Sequence, residues 1–380
     1  MGAALLTLGS CTNEINEEGF VDKANTISFN AYSNKTRAVT GDVTSENIKG
    51  DNFGVFGYYN NSPYLYVLEN TTKKAVEQTW NHTSSNWEYV NPSELKFWPD
   101  GSMDFYAYFP SSENVTFEES NANSNVMTIS NVDCSHDVLF AYQGSQEKTV
   151  RVPLTFNHAF SKIKGLIIEM PEEGSLFKSN CQVEVQKVEF INTDTKGNVK
   201  VNNSGKASYI VNPSNETLSE RLDPVVTINN TNAIKYLINN GTNAKGYLFA
   251  TNSSETNYVT GTGKTMWDGT KNLLTAGTTL ENLGQVCLKL TCKVWNGTVD
   301  NKYYYLGDNA NYGVMYIPLT GTLADPTNVS TFEAGKRYTY NIVFKDNVGF
   351  RDNGDPVLRP ILFEVESVSD WSDVNVTIKL

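Results

Sequence analysis

The 380-residue sequence is poor in charge, and basic residues are in the minority. Charged residues make up 19% of the chain, with 30 Lys and Arg against 42 Asp and Glu, so the formal net charge is −12. Binding to nucleic acid needs Lys and Arg concentrated on one face to contact phosphates, and no such cluster occurs along the chain. We therefore expect no nucleic-acid partner.

Residues that carry catalysis or bind metal are equally scarce. The three histidines, His82, His136 and His158, have no His, Cys or Asp beside them at a metal-ligand spacing, so we interpret each as a surface or turn residue. The loop 261–265 ends like a phosphate-binding loop, but Tyr258 stands where its first glycine is required. No nucleophile elbow or Cys–His pair is apparent. We predict no catalytic residues, metal or cofactor, and hence that the protein is not an enzyme.

Long apolar runs are missing as well, so no segment is predicted to span a membrane as a helix. The one informative apolar stretch precedes Cys11, where small residues follow Leu8 and polar sequence begins directly afterwards. This is the pattern of a bacterial lipoprotein signal, which predicts 1–11 as the signal end, Cys11 as the lipidated residue and 12–25 as a flexible tether. The alternative is an ordinary leader with an incidental cysteine.

The sequence also has no long segment with the 3.6-residue period of a capped helix, and it is rich instead in residues typical of strands and turns. It contains 20 Tyr, 18 Phe, 6 Trp and 27 Gly. Strongly apolar segments at 53–59 and 103–109 predict core strands, and a restart of the pattern near 156 predicts two β-sandwich domains, 26–155 and 156–380. Cys287 and Cys292 should face opposite sides of one strand, and a bridge between Cys134 and Cys181 is left open.

The segment 26–40 combines a short strand with an accessible basic residue. Apolar and polar side chains alternate from 27 to 32, which places Ile27, Phe29 and Ala31 on one face. Arg37 then lies in a polar stretch that a trypsin-like protease can enter. Two interpretations follow from the residues alone: an ordinary first strand with a surface arginine, or a strand that is removed by cleavage.

Several motifs, in order along almost the whole chain, resemble the fimbrillin family of pilus subunits and related surface lipoproteins of Bacteroidales. They are LGSC at 8–11, ISF at 27–29 with TRA at 36–38, FWP at 97–99 leading to FYAYFP at 105–110, LTFNHAFSKI at 154–163, FEAGKRYTYNI at 332–342, and DWSD at 370–373 before a last apolar strand.

The resemblance implies two tandem β-sandwich domains of transthyretin-like type and export as a lipoprotein to the outer membrane and cell surface. It further implies cleavage between Arg37 and Ala38 by a trypsin-like protease, which discards the strand of Ile27, Phe29 and Ala31. A C-terminal strand of the next subunit would then fill the exposed groove. The candidate donor is 374–380, alone or together with 361–368, and its anchors are Val374, Val376, Ile378 and Leu380.

This resemblance predicts other pilus subunits and an arginine-specific protease as partners, and a receptor on a host or bacterial surface as a further one. The competing hypothesis is a glycan-binding surface lipoprotein of two sandwich domains that uses exposed aromatic residues and never polymerises. The two hypotheses differ at Arg37, because only the first needs a cut there.

Overall fold

The computed structural model describes residues 25–33, 43–122, 125–133, 135–170, 181–211, 216–229, 234–238, 247–249, 258–259, 266–267, 269, 279–298, 300–319, 332–344, 349–352, 362–368 and 373–379. Within these ranges the chain is all-β, and its helical turns are short 3-10 segments at Asn47–Gly50, Pro92–Glu94 and Glu281–Leu283. The predicted all-β class and sandwich architecture are confirmed, whereas the transthyretin-like type stays a prediction.

The described residues form twenty-six strands, of which the first twelve run up to residue 158. They are β1 (Phe29–Ser33), β2 (Phe53–Tyr59), β3 (Ser62–Leu65), β4 (Val67–Glu69), β5 (Thr72–Lys74), β6 (Val76–Asn81), β7 (Asn86–Tyr89), β8 (Met103–Phe109), β9 (Asn114–Phe117), β10 (Met127–Asp133), β11 (Leu139–Gln146) and β12 (Val152–His158).

The remaining strands of the described residues follow from Phe160 onward. They are β13 (Phe160–Glu169), β14 (Cys181–Thr193), β15 (Lys196–Val201), β16 (Ala207–Val211), β17 (Glu216–Ile228), β18 (Ile234–Ile238), β19 (Tyr247–Phe249), β20 (Tyr258–Val259), β21 (Cys287–Thr298), β22 (Asn301–Leu306), β23 (Gly313–Ile317), β24 (Arg337–Val343), β25 (Leu362–Val368) and β26 (Asp373–Lys379).

The first sandwich consists of an eight-stranded sheet in the order β1-β12-β11-β8-β2-β6-β7, with β3 attached to β2, and a five-stranded sheet in the order β20-β16-β15-β10-β9. The central strands β2 and β8 of the larger sheet are buried on both faces. On β8, Phe105 and Ala107 enter one core while Tyr106 and Tyr108 enter the other. Two apolar faces explain why this strand reads as a nearly continuous hydrophobic run rather than as an alternating one.

The two cores of the first sandwich have different walls. One lies between the two sheets and includes Phe56 and Met127. The other is enclosed by the larger sheet itself, which curls until its two end strands, β1 and β7, are joined by a hydrogen bond from Tyr89 to the carbonyl of Ile27. We call the second one the β1 core, because Ile27, Phe29 and Ala31 fill it together with side chains of β2, β7, β8 and β12.

The second sandwich packs a six-stranded sheet, β18-β13-β24-β25-β26 with β19 on β13, against a five-stranded sheet, β17-β14-β21-β22 with β23 on β21. Their shared core includes Ile163, Val183, Leu290 and Tyr340. At the edge of the six-stranded sheet, β26 runs parallel to β24 and antiparallel to β25, whereas β25 meets β24 at a single pair. Thus β26 is the inner strand of this edge and β25 is the outer one.

The sheets do not follow the chain order strictly. The hairpin β15–β16 hydrogen-bonds to β10 in the first sandwich, although it lies far beyond the predicted boundary at 155/156. In addition, β13 places Phe160 in the first sandwich and Ile163 in the second. Strand pairing therefore crosses that boundary, and the division into folding units at 26–155 and 156–380 remains a prediction.

Three cysteines of the second sandwich are buried free thiols. Cys292 points into the main core, and Cys287 lies in a smaller cluster with Trp267 and Tyr316, so the prediction that these two residues face opposite sides of one strand is confirmed. Cys181 is also a free thiol, and Cys134, its possible partner, lies outside the described residues.

Candidate functional site

The strand β1 is the end strand of the larger sheet of the first sandwich. Its five residues pair in parallel with β12, from Phe29 opposite Val152 to Ser33 opposite Phe156. Ile27 and Phe29 are fully buried and Ala31 is 6% exposed, whereas Tyr32, on the outer face, is 49% exposed. The alternation predicted for residues 27–32 is confirmed, and it results in a strand that is held by one ladder and by its inward side chains.

Phe29 occupies a pocket made of aromatic rings. Its ring lies edge-to-face with Phe105 at a centroid distance of 5.6 Å and with Phe53 at 6.4 Å. Phe53 in turn packs against Trp87 at 4.8 Å and Phe156 at 5.4 Å. Because edge-to-face pairs contribute beyond their buried area, Phe29 is the strongest side-chain anchor of β1.

Backbone contacts extend the attachment upstream of β1. The amide of Ile27 donates to the carbonyl of Lys96 at 2.9 Å, and the amide of Trp98 donates to the carbonyl of Asn25 at 2.9 Å. The hydroxyl of Tyr89 donates to the carbonyl of Ile27 at 2.9 Å, and burial raises the pKa of this phenol, which keeps it a donor. The segment 25–28 is therefore fixed to the opposite end of the sheet through bonds that do not depend on its side chains.

Beyond β1, the chain on either side of 34–42 is joined by serine hydrogen bonds. The hydroxyl of Ser33 donates to the carbonyl of Val43 at 3.2 Å, and the hydroxyl of Ser45 both accepts from the amide of Ser33 and donates to its carbonyl, each at 3.1 Å. The two chain ends that flank the predicted cut are thus held together.

The downstream end is fixed by a buried carboxylate–imidazole pair. The amide of Val43 donates to Asp137 Oδ2 at 3.2 Å, and the same oxygen lies 2.8 Å from His158 Nδ1; both side chains are 2% exposed. The interpretation of His158 as a surface or turn residue is wrong, because it is buried at the end of β12 and pairs with Asp137. His82 and His136 are exposed, as predicted.

A polar side chain in the wall of the β1 core escaped the sequence analysis. Gln78 is fully buried on β6, where it stands opposite Phe53 on one side and Tyr89 on the other. Among the described residues, neither its amide nitrogen nor its oxygen has a hydrogen-bond partner. The alternation of Val76, Gln78 and Trp80 places Gln78 inward, which is the signal that sequence reasoning had available.

The other predicted site residues are spread over the chain. Val374, Val376 and Ile378 lie on β26 in the second sandwich, so the structure does not bring them to β1. Cys11, Arg37, Ala38 and Leu380 lie outside the described residues.

No group of three or more His, Cys, Asp or Glu side chains in the described part is placed to hold a metal ion. Nor does any helix there have the length and apolar character needed to cross a bilayer.

Several solved structures have a similar chain path. A fimbrial protein from Bacteroides vulgatus has 14% identity and a TM-score of 0.47, covering 84% of this chain and 95% of its own. A candidate cell adhesion protein from Parabacteroides distasonis has 10% identity and a TM-score of 0.45, covering 93% of this chain and 98% of its own. One from Bacteroides ovatus has 15% identity and a TM-score of 0.36, covering 94% and 98%.

The comparison with curated proteins gives no match. The family models do give one: the fimbrillin-like model matches residues 36–355, which is most of the 380-residue chain. The chain therefore belongs to the fimbrillin-like family.

Proposed function

We propose that this chain is a structural and adhesive subunit of a fimbria at the cell surface, exported as a lipoprotein through Cys11 and assembled by strand exchange. Its membership in the fimbrillin-like family supports a fimbrial, adhesion-type subunit rather than an enzyme. In the proposed sequence of events, a trypsin-like protease cuts between Arg37 and Ala38, β1 leaves, and a C-terminal strand of the next subunit enters the emptied groove.

The observation that carries the proposal is the position of β1. It is an end strand with a single ladder, yet its inward side chains complete the β1 core, and the residue at its end, Ser33, comes four positions before Arg37. Loss of β1 exposes apolar surface on β2, β8 and β12 together with one unpaired edge of β12. A strand supplied by another subunit restores burial and hydrogen bonds in one step.

The chain downstream of the cut has its own attachment to the first sandwich. Val43 stays bonded to the Asp137–His158 pair, in which Asp137 lies just before β11 and His158 ends β12. Cleavage at Arg37 therefore separates β1 from a segment that keeps its own anchor.

A disulfide lock tests this function directly. Tyr32 and Thr155 are exposed partners in the parallel ladder, and neighbouring strands bring such pairs within bridging range. We expect chains carrying Y32C and T155C to be cut by trypsin after Arg37, yet to keep β1 and stay monomeric until a reductant is added. Oligomers that form equally well from the locked chain would contradict strand exchange at β1.

The matched control is a second lock that leaves β1 free. Thr79 on β6 and Glu88 on β7 are partners in an antiparallel ladder. Chains carrying T79C and E88C should form oligomers after cutting, with or without reductant. Monomers from this control, but oligomers from the unmodified chain, would indicate that introduced disulfides block assembly for reasons unrelated to β1.

A second candidate function is glycan binding by the uncut monomer. Tyr303 on β22 is 68% exposed, and its ring lies 5.1 Å from that of Tyr305 in an edge-to-face arrangement. Exposed tyrosines of this kind provide apolar faces for sugar rings. Binding of the uncut chain to a glycan array that is lost in Y303A, together with no oligomers after cutting, would favour this function over the first.

A further inference from the structure

The sizes of the inward side chains of β1 define which strand can replace it in its groove. From Phe29 onward the inward positions of β1 are aromatic, small and serine: Phe29, Ala31 and Ser33. The residue that precedes them with the same spacing is Ile27, which is fully buried in the same core. The groove is thus shaped for an aliphatic residue, an aromatic residue, a small residue and a serine at every second position.

The aromatic position is the most demanding of these. The walls of its pocket are fixed by contacts that do not involve β1, since Phe53 packs on Trp87 and Phe156, and Phe105 packs on Trp98 at 5.8 Å. Such a pocket keeps its size when β1 leaves. A side chain smaller than phenylalanine would leave a cavity there, and cavities in close-packed cores are costly.

The last strand, β26, does not supply the required ring. Its sequence has Val374, Val376 and Ile378 at alternate positions, followed by Leu380, and the residues between them are polar. No register of this strand places an aromatic side chain at the position of Phe29.

The preceding strand, β25, does supply it. Its residues Phe363, Val365 and Ser367 repeat the spacing of Phe29, Ala31 and Ser33, and Ile361 precedes Phe363 in the sequence as Ile27 precedes Phe29. The order is the same from N- to C-terminus, so β25 matches β1 when it runs in the same direction, parallel to β12. Val365 adds two methyl groups at the position of Ala31, where some exposure remains.

The position of β25 in its own sheet also favours its release. Its ladder is with β26, and it touches β24 at the single pair of Val343 with Leu362. By contrast, β26 is hydrogen-bonded on both sides, to β24 and to β25. To free β25, the chain breaks one ladder, whereas to free β26 alone it breaks two.

We propose that the strand donated into the groove is β25 of a second copy of this chain, with Phe363 entering the pocket of Phe29. This inference rests on the proposed function, because it requires β1 to leave after the cut at Arg37. It identifies Phe363 as the residue that determines which strand the groove accepts, and it assigns β26 to the donor subunit as the partner that β25 leaves behind or carries along as a hairpin.

Three synthetic peptides added to the trypsin-cut chain test the proposal by competition for the groove. One has the sequence of 361–368, one is the same peptide with Phe363→Val, and one has the sequence of 373–380. We expect the first to bind at least about tenfold more tightly than either of the others. Burial of the phenylalanine ring contributes enough free energy of binding for a difference of that size. Equal or tighter binding of the 373–380 peptide, or no loss with Phe363→Val, would overturn the assignment.

A peptide with the sequence of 26–33 separates failure of this inference from failure of the proposed function. If that peptide binds the cut chain and 361–368 does not, the groove exists and the donor is wrong. If mass spectrometry shows β1 retained after the cut, or the 26–33 peptide fails to bind a chain that has lost β1, strand exchange itself is wrong. In the full-length chain, F363V should slow oligomer formation after cutting, and addition of the 26–33 peptide should block it in the unmodified chain.

Discussion

The two end strands β1 and β25 carry the same alternating sequence pattern in two different settings. β1 lies parallel to β12, with Phe29 locked among aromatic rings and with the segment before it bonded to Lys96, Trp98 and Tyr89. β25 lies antiparallel to β26 and meets β24 at one pair. One strand lies in a parallel ladder and the other in an antiparallel ladder. What the two strands share is therefore the order of side-chain sizes, and not the direction of their pairing.

The comparison also separates what holds each strand. The ladder of β1 with β12 contains five register pairs, and that of β25 with β26 contains four. The additional attachment of β1 comes from its buried side chains and from the contacts of residues 25–28. Predictions that remove one of these attachments at a time therefore test the comparison.

The largest expected effect follows from the aromatic pocket. We expect Phe29→Ala to lower the free energy of unfolding of the uncut chain by about 3–5 kcal/mol, because it removes a fully buried ring from a close-packed core. Tyr32→Ala on the exposed face of the same strand is the control and should change it by less than about 0.5 kcal/mol. Urea titration measures both.

The prediction also specifies where in the structure F29A lowers stability. Hydrogen exchange in F29A should accelerate at the amides of β12 and remain unchanged at those of β24, which lies in the second sandwich. Equal acceleration in both sandwiches would mean that β1 supports the whole chain rather than the first core.

A smaller effect of opposite sign is expected at two buried polar groups that have no hydrogen-bond partner in the described part of the chain. Gln78 lies in the wall of the β1 core. The second group is the hydroxyl of Tyr340, a residue of β24 that pairs with Val376 of β26. An apolar replacement of similar shape removes the desolvation penalty of such a group, about 1–3 kcal/mol. Both Gln78→Met and Tyr340→Phe should therefore raise the melting temperature.

Gln146→Met is the control for this pair, because the amide of Gln146 donates to the carbonyl of Glu147 near the surface. It should leave the melting temperature nearly unchanged. Destabilisation by Gln78→Met would show that the amide has a favourable role in the uncut chain, and the two sandwiches would then differ at these buried groups.

A weaker and more local effect is expected at Tyr89. Its hydroxyl bonds to the carbonyl of Ile27, and Tyr89→Phe removes one hydrogen bond worth about 0.5–1.5 kcal/mol while keeping the ring. After a cut at Arg37, β1 should dissociate several-fold faster from Y89F than from the unmodified chain, as followed by mass spectrometry. An unchanged rate would place the barrier to release at Phe29 rather than at the upstream backbone contacts.

The sequence predicts those parts of the fold that depend on local pattern. The alternation in β1, the core strands β2 and β8, and the hairpin β6–β7 follow from side-chain periodicity and turn residues. The pairing of β15 with β10 could not be predicted, because nothing local in either strand specifies a partner that distant in the chain. The burial of His158 was missed for the same reason: its covering carboxylate, Asp137, is brought to it by the antiparallel pairing of β11 and β12.

For the candidate site, periodicity identified the inward residues of β1, but the pocket around Phe29 required the structure. Its walls come from β2, β7, β8 and β12, whose spatial order β12-β11-β8-β2-β6-β7 differs from their order in the chain. The match between β1 and β25 was present in the sequence throughout. Its significance depends on two facts outside the sequence: β1 is an end strand whose Phe29 is buried in an aromatic pocket, and β25 is the outer strand of its sheet.

The smallest expected change is at the buried thiols of the second sandwich, and it distinguishes loss of β1 from a wider opening. Burial raises the pKa of Cys181 and of Cys287 to about 12 and raises that of Cys292 as well. At pH 8 these groups are therefore protonated thiols, which react slowly because the thiolate is the nucleophile. In a chain with Cys11 and Cys134 replaced by serine, a thiol reagent should detect almost no reaction before or after cutting at Arg37, and three thiols in denaturant. Rapid labelling on cutting would mean that β25 and β26 leave the second core at the same time as β1 leaves the first, and the two end strands would then be coupled rather than independent.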